Sequence, residues 1–276
     1  MDLHGKVAVV TGSSRGIGKR IALTLARSGA DLVLSARTAE PGQSKLPGTI
    51  NETAEEVRAL GVKALPVRAD LTIRDDVRRL YQTALEHFGR VDVLINNAAY
   101  IGKGMFESFL DTPLDSWDKH LGVDLIATLI SIQMTLPQMM ERKSGAIICL
   151  TTAIAVGDED PRPAGQGGVG SVYPTVKAAV NRLCGALGKE TRAYNIPVVA
   201  LDPGAVLTER TMAAGQKGKL TTLTEPGSRV SMDVPAQAAH YICTCANPME
   251  YNGKIVISED LVRAKKLLPE AQIRPR

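Results

Sequence analysis

The sequence predicts an α/β protein built around a parallel sheet, and three observations support this prediction. Short apolar runs alternate with helical patterns along the 276 residues, as in chains whose helices cover both faces of a sheet. The apolar runs are continuous, as expected of strands that are buried on both sides. A glycine-rich turn, Thr11–Gly18, lies between the first strand and the first helix, where phosphate-binding turns occur.

Each strand is predicted from a short apolar run, and each helix from a longer stretch with helical periodicity. The predicted strands are Lys6–Thr11, Asp31–Ser35, Val62–Arg68, Val91–Ile95, Ala146–Thr151, Pro197–Leu201 and Lys254–Ser258. The predicted helices are Gly16–Ser28, Asn51–Leu60, Ile73–Phe88, Leu114–Met140, Val172–Tyr194 and Pro235–Ala246. The length suits one large α/β domain over residues 1–276, in which 259–276 form a C-terminal tail.

Three connecting segments are unusually long: Thr38–Ile50, Val156–Gly170 and Thr208–Met232. Long loops in compact domains often act as lids or binding loops. Val156–Gly170 is first acidic and then rich in glycine and proline, and a tolerated surface insertion accounts for it equally well. The basic residues after Asp260 are expected to form a solvated terminus, which either frays or reaches a neighbouring subunit.

The composition excludes several classes of protein. Hydrophobic residues make up 44% and charged residues 22% of the chain, and the net charge of +4 is scattered, which argues against nucleic-acid binding. No apolar run reaches the roughly 18 residues of a membrane span, and the N-terminus lacks a signal sequence. The four cysteines and four histidines form no metal-binding pattern. We therefore expect a cytoplasmic protein with reduced thiols and no metal.

Tyr173 and Lys177 are the strongest candidates for catalytic residues. Residues four apart share one face of a helix, so the Lys177 ammonium is expected to lie near the Tyr173 phenol and to lower its pKa. A phenol that releases its proton nearer to neutral pH is a usable general acid or base. Such pairs are common on helix surfaces, and this one gains its meaning from the glycine turn upstream.

The glycine turn predicts a site for a pyrophosphate. Gly12 permits a tight turn, whereas Gly16 and Gly18 let the backbone approach a ligand. The helix that begins here offers free N–H groups and the positive end of its dipole.

These motifs resemble those of the short-chain dehydrogenase/reductase family, in its single-domain branch. The resemblance rests on Thr11–Gly18, Asp70-Leu71, Asn96–Ala99, Tyr173 with Lys177, and Pro203-Gly204 with Thr208. It implies a Rossmann-type, doubly wound parallel sheet of seven strands in the order 3-2-1-4-5-6-7, with helices on both faces. A nicotinamide coenzyme would then lie across the carboxyl ends of the strands.

The resemblance also implies which residues hold the coenzyme. They are Gly12, Ser14, Arg15, Gly16, Ile17, Gly18, Arg37, Asp70, Leu71, Asn97, Ala98, Tyr173, Lys177, Pro203, Gly204, Val206 and Thr208. In this set Asp70 would meet the adenine, Asn97 would line the ribose side, and Thr208 would lie near the nicotinamide.

The end of the second strand favours NADP(H) over NAD(H). Ala36 stands where an NAD-binding protein has a carboxylate for the ribose 2′-hydroxyl, and Arg37 follows it. Together with Arg15, Arg37 suits a 2′-phosphate through charge-assisted hydrogen bonds. NAD(H) remains possible if Arg37 only caps the strand end.

Two candidate catalytic positions depart from the family. Its serine after the fifth strand is matched by Thr152, with Thr151 as the alternative, and its helical asparagine by Asp124. Thr152 can still donate a hydrogen bond to a carbonyl oxygen. A carboxylate at Asp124 puts the family's proton relay in doubt and is expected to change the pH profile through Lys177.

The predicted activity is hydride transfer between the coenzyme and a carbonyl or alcohol carbon of a small hydrophobic substrate. The alternative is a sensor or scaffold protein that binds the dinucleotide without turnover. A run in Ser35–Ile50 resembles hydroxysteroid dehydrogenase-like members of the family, and an apolar rim of Tyr100, Ile101, Ile154, Val156, Leu207 and Met212 suits such a substrate. The resemblance further implies a homotetramer or homodimer formed through the long helices Leu114–Met140 and Val172–Tyr194.

Overall fold

A sheet of seven parallel strands runs through the middle of the protein. The computed structural model describes residues 2–157, 162–166, 168–215 and 229–274. The strands are β1 (Val7–Thr11), β2 (Asp31–Ala36), β3 (Ala64–Arg68), β4 (Val93–Asn96), β5 (Ala146–Leu150), β6 (Val198–Asp202) and β7 (Ile255–Ile257). Their order is β3-β2-β1-β4-β5-β6-β7, and every pairing is parallel. The predicted topology is confirmed.

Helices cover both faces of this sheet. They are α1 (Gly16–Arg27), α2 (Ile50–Arg58), α3 (Arg74–Phe88), α4 (Leu114–His120), α5 (Ala127–Arg142), α6 (Val172–Thr191), α7 (Glu209–Gly215), α8 (Asp233–Thr244), α9 (Ser258–Ala264) and α10 (Glu270–Ile273). One hydrophobic layer unites α1, α2, α8 and α9, and the other unites α3, α5 and α6.

The strand β1 shows how the two layers share one strand. Ala8 and Val10 belong to the first layer, whereas Val7 and Val9 belong to the second. Side chains alternate between the two faces of a strand, so a strand covered on both faces must be apolar at every position. This requirement explains why the buried strands appear in the sequence as continuous apolar runs.

The long helical stretch predicted over Leu114–Met140 is interrupted. A π-helical segment, Leu121–Ile126, joins α4 to α5, and the Ala127 N–H bonds to the carbonyl of Gly122, five residues back. The Thr128 hydroxyl donates to the Asp124 carbonyl at 2.9 Å. Such wide turns often occur at functional sites, and this one carries the candidate residue Asp124.

By length and composition alone, Leu114–Arg142 is the one stretch among the described residues that could cross a membrane. Its most apolar window has a mean hydropathy of 1.2, and half of that window is buried inside the protein. Because core helices meet the same criteria, this stretch is only weak support for a membrane span.

The C-terminal segment is folded, which corrects the expectation of a solvated or frayed tail. Leu261, Val262 and Ile273 are buried in the first hydrophobic layer. Arg263 and Arg274 both pair with Glu259, at 2.8 and 2.9 Å. The basic residues are indeed near the surface, but the apolar residues between them fix the segment to the protein.

Two of the long loops also contain structure. The predicted loop Thr208–Met232 begins with α7, although its residues 216–228 lie outside the described part of the chain. In the insertion Val156–Gly170, the N–H groups of Gly165 and Gly170 donate to Phe106 and Met105 at 2.6 and 2.7 Å. The described part of the insertion therefore lies along residues 105–106, while 158–161 and 167 are outside the description.

We predict that two glycines of α6 differ sharply in their tolerance of alanine. A Cβ at Gly188 would lie 2.7 Å from the Gly253 Cα, whereas a Cβ at Gly185 would come no closer than 3.6 Å to any atom. Gly188→Ala should therefore lower the free energy of unfolding by about 1–3 kcal/mol. Gly185→Ala, the matched control, should be neutral or stabilising by up to about 1 kcal/mol. Urea unfolding measures both, and equal effects would contradict the close packing of α6 on the turn before β7.

Candidate active site

The turn between β1 and α1 has the backbone of a phosphate cradle. Gly12 and Gly16 adopt φ angles of +70° and +59°, a region that favours glycine. A Cβ at Gly18 would lie 2.4 Å from the Gly12 carbonyl oxygen. The first turn of α1 contains no acidic residue and has no side-chain cap. Its free N–H groups and the positive end of the helix dipole thus fit a pyrophosphate, and a carboxylate oxygen of Glu209 lies beside the turn, 3.6 Å from a Cβ placed on Gly16.

Asn97 and Ala98, which follow β4, make hydrogen bonds that stabilise this turn. The Asn97 side-chain amide donates to the Thr11 carbonyl at 2.8 Å. The N–H groups of Asn97 and Ala98 both donate to the Thr11 hydroxyl at 3.1 Å. A Cβ at Gly12 would lie 2.8 Å from the Asn97 amide nitrogen, so β4 and the glycine turn are in direct contact. The structure gives Asn97 this supporting contact in addition to its predicted place beside the coenzyme.

Three guanidinium groups gather beside the turn. The Arg15 guanidinium donates to the carbonyls of Pro47 and Gly48, both at 2.7 Å, which anchors the long loop before α2. The pKa of Arg210 is lowered by desolvation and then by the positive charges of Arg15 and Arg37. Like charges held together in this way fit an anion such as a phosphate. Sequence reasoning missed Arg210, although it lies two residues after Thr208.

The remaining predicted coenzyme residues lie at the same edge of the sheet. The Asp70 carboxylate accepts from the backbone and hydroxyl of Thr72 at 3.0 and 2.8 Å, which shapes the turn after β3. A Cβ at Gly16 would lie 3.6 Å from the Thr208 methyl group. The turn after β1 and the segment after β6 therefore meet, as the site prediction requires. The other predicted coenzyme residues are Ser14, which is buried, Ile17, Leu71, Pro203, Gly204 and Val206.

Lys177 is buried and makes two short contacts. Its ammonium donates to the Leu150 carbonyl at 2.9 Å and pairs with Asp124 Oδ1, also at 2.9 Å. It lies 5.8 Å from the centre of the Tyr173 ring, so the spacing of four residues brings the two together as predicted. Burial is the largest influence and alone would lower the pKa of Lys177. The charge and hydrogen bond of Asp124, together with the Tyr173 phenol and the Cys149 thiol, outweigh burial, so the pKa is raised.

Asp124 is held from both sides. Its side chain has no solvent exposure, and Oδ2 accepts from the Tyr100 N–H at 3.0 Å. The π-helical segment places the residue between α6 and the residues after β4. The structure thus brings the substituted position into direct contact with Lys177.

The pKa of the Tyr173 phenol is shifted in the direction opposite to the prediction. Desolvation raises its pKa, Lys177 opposes this shift, and the negative charges of Asp124 and Asp202 add to it. The lowering influence of Lys177 is present, but the net pKa lies above the ordinary value of a tyrosine. The expectation of a lowered pKa was therefore wrong, because sequence spacing reveals neither burial nor the two nearby carboxylates.

The two threonines after β5 occupy different environments. Thr151 is buried, whereas Thr152 is half-buried and precedes the short 3-10 turn Ala153–Ala155, which packs on α6. The Thr151 hydroxyl makes no hydrogen bond within the described ranges. Thr152 thus carries the more accessible of the two hydroxyl groups.

Two further titratable groups lie near Tyr173 and were missed in the sequence. The buried Asp202 ends β6, its Oδ1 accepts from the Gly204 N–H at 2.9 Å, and burial raises its pKa. The His120 ring lies 6.4 Å from the Tyr173 ring, and burial lowers the pKa of His120. Asp202 directly precedes the Pro203-Gly204 motif, which is the signal that could have revealed it.

Comparison with known proteins agrees with this geometry. The profile of the short chain dehydrogenase family matches residues 6–219. Hydroxysteroid dehydrogenase-like protein 2 of Danio rerio is 31% identical over 95% of the chain, which spans 59% of that protein's length. An uncharacterized oxidoreductase of Staphylococcus epidermidis is 32% identical over 78% of this chain and 85% of its own length. The chain therefore belongs to the short-chain dehydrogenase/reductase family, a class of NAD(P)-dependent oxidoreductases that act on alcohol and carbonyl groups.

A solved structure adds a coenzyme to the comparison. A metagenomic short-chain oxidoreductase in complex with NADP superimposes with a TM-score of 0.71 and 26% identity, covering 92% of this chain and 96% of that one. The predicted family and enzyme class are confirmed, as is the weaker resemblance to hydroxysteroid dehydrogenase-like proteins. The glycine cradle and the gathered guanidinium groups fit a dinucleotide of the kind that this class uses.

Proposed function

We propose that the protein is an NADP(H)-dependent oxidoreductase that interconverts a carbonyl and an alcohol on a small hydrophobic substrate. The observation that carries this proposal is the half-buried Tyr173 phenol beside the buried Lys177 ammonium, at the edge of the sheet that also bears the glycine cradle. Binding of a dinucleotide alone does not require a phenol beside a buried ammonium. A proton donor next to a coenzyme site is what the reduction of a carbonyl requires.

The proposed roles follow from the contacts of each side chain. Tyr173 Oη gives its proton to the substrate oxygen, or takes it back, while Thr152 orients that oxygen through its hydroxyl. Lys177 stabilises the ionised phenol and holds the coenzyme ribose with the N–H that its two protein contacts leave over. When bound, the nicotinamide supplies or accepts the hydride.

The proposed preference for NADP(H) rests on the guanidinium groups. Arg37 follows β2, and the pKa of Arg210 is lowered first by desolvation and then by the charges of Arg15 and Arg37, which supports a common location for the three groups. A 2′-phosphate would relieve their mutual repulsion and accept charge-assisted hydrogen bonds. The structural relative in complex with NADP supports the same choice.

The proposed substrate is hydrophobic because the predicted rim exposes apolar side chains. Val156, Leu207 and Met212 are 68, 37 and 43% exposed. Exposed apolar groups around a polar centre suit a ligand with a carbonyl on an apolar body. The name of the Danio rerio relative supports a steroid-like or similarly apolar compound.

We also propose a homodimer or homotetramer in a reducing, cytoplasmic compartment. Long helices, including α5 and α6, are the contacts that the family resemblance implies. The four cysteines are all unpaired thiols, which supports a reducing compartment.

We predict that Arg37→Ala weakens NADPH binding roughly 10- to 100-fold, because a charge-assisted contact to the 2′-phosphate is lost. NADH binding should change by less than about twofold, since NADH lacks that phosphate. Energy transfer from Trp117 to the bound nicotinamide reports both affinities. Arg78→Ala, which removes an exposed arginine paired with Asp75 on α3, is the control. Equal losses of affinity for the two coenzymes would show that Arg37 does not bind the 2′-phosphate.

We predict that Thr152→Val lowers kcat/KM for carbonyl reduction by roughly 10- to 100-fold, because the orienting hydrogen bond is lost. Thr152→Ser should retain activity. The isosteric control is Thr151→Val, which should stay within about twofold of the wild type because its buried hydroxyl lacks a partner among the described residues. NADPH oxidation with hydrophobic ketones and aldehydes measures all three. The reverse pattern would transfer the role to Thr151.

A further inference from the structure

We propose that Asp124 is a positioning residue that neutralises Lys177 and keeps Tyr173 protonated, so that alcohol oxidation begins only under alkaline conditions. Carbonyl reduction, which uses the protonated phenol, then extends from neutral into alkaline pH. The inference rests on the proposed function, because it concerns the pH range in which that site works.

Two of the three N–H groups of Lys177 already have partners in the protein. An ammonium has three N–H groups, and here one pairs with Asp124 at 2.9 Å and another with the Leu150 carbonyl at 2.9 Å. The two charged side chains are 4% and 0% exposed. Water therefore does not screen the ion pair, and the carboxylate opposes the positive potential that the lysine projects onto the phenol.

Asp124 cannot easily turn away from this contact. Its second oxygen accepts from the Tyr100 N–H at 3.0 Å, and the π-helical segment fixes its backbone. Asparagine, the residue that the family resemblance leads one to expect here, would place an oxygen at the same position without a charge. The protein thus differs from that pattern by one buried negative charge beside the catalytic lysine.

The other groups around Tyr173 act in the same direction or are neutral. Asp202, at the end of β6, adds a negative charge that raises the pKa of the phenol. His120, on α4, is kept neutral by burial, which lowers its pKa. The Cys149 thiol, on β5, raises the pKa of Lys177. Lys177, on α6, is the one cation that favours the phenolate among these groups, and its charge is paired.

Reduction and oxidation require opposite protonation states of Tyr173 at the start of the reaction. In reduction, hydride adds to the carbonyl carbon and the Tyr173 proton moves to the carbonyl oxygen, while NADPH is oxidised to NADP⁺. The phenolate then regains a proton from solvent. In the reverse direction the phenol must first lose its proton, which requires a higher pH when Lys177 is neutralised.

The test is a phenolate titration that does not depend on turnover. The ultraviolet difference spectrum between the wild type and Tyr173→Phe isolates the Tyr173 phenol, and the same subtraction is made in the Asp124→Asn background. We expect Asp124→Asn to lower the titration midpoint by about one pH unit or more. Asp118→Asn, which removes an exposed carboxylate from α4, is the matched control and should leave the midpoint unchanged.

The pH profile of catalysis supplies the second readout. In Asp124→Asn, the onset of alcohol oxidation and the alkaline limit of carbonyl reduction should both move to lower pH with the phenol. If Asp124→Asn does not fold, Asp124→Ser removes the same charge with a smaller side chain and carries the same expectation.

An unchanged midpoint in the Asp124 variant, or an equal shift in Asp118→Asn, would overturn the inference. A shifted phenol titration without turnover of any carbonyl or alcohol would support the control of Tyr173 by Asp124 while contradicting the proposed function. The two claims can thus fail separately.

Discussion

All seven strands point in the same direction, and this parallel arrangement determines where chemistry can occur. Every strand ends at the same edge of the sheet, so the segments after β1, β2, β4, β5 and β6 converge there although they are far apart in sequence. The contact between Asn97 and the Gly12 turn shows how closely they approach. Because both faces of the sheet are covered by helices, this edge is the natural place for a large ligand.

The electrostatics of the site then depend on burial. Removing a charged group from water costs several kcal/mol, and an apolar replacement of a buried ion pair is often neutral or stabilising. The Lys177–Asp124 pair, with a further buried carboxylate at Asp202, is therefore poorly explained by stability alone. Its position beside the Tyr173 phenol gives it a chemical explanation, since each of these charges acts on the proton that the reaction moves.

Much of this architecture was predictable from the sequence. Continuous apolar runs located the strands, and the glycine turn with Tyr173 and Lys177 identified the family, from which the strand order followed. The structure corrected what local patterns cannot encode. The π-helical segment around Asp124 differs too little from an α-helix in periodicity to be recognised, and charged residues concealed the buried apolar positions Leu261 and Ile273.

The contacts that the sequence did not predict join residues from different helices and strands, which come together only in the folded protein. Sequence spacing showed that Lys177 shares a helix face with Tyr173, but not that Asp124 and Asp202 would face them from other elements. The sign of the net pKa shift of Tyr173 was therefore predicted incorrectly, although the contribution of Lys177 was predicted correctly. Arg210 joins Arg15 and Arg37 for the same reason, through α7 and not through any local motif.

The most direct measurement follows NADPH oxidation with a panel of hydrophobic ketones, aldehydes and quinones, comparing the wild type with Tyr173→Phe. Binding of NADPH is followed in parallel through energy transfer from Trp117. The account predicts turnover by the wild type and a loss of at least about a thousandfold in Tyr173→Phe, with NADPH binding retained, because only the proton donor is removed. Turnover that survives in Tyr173→Phe, or tight NADPH binding without turnover of any compound in the panel, would contradict it.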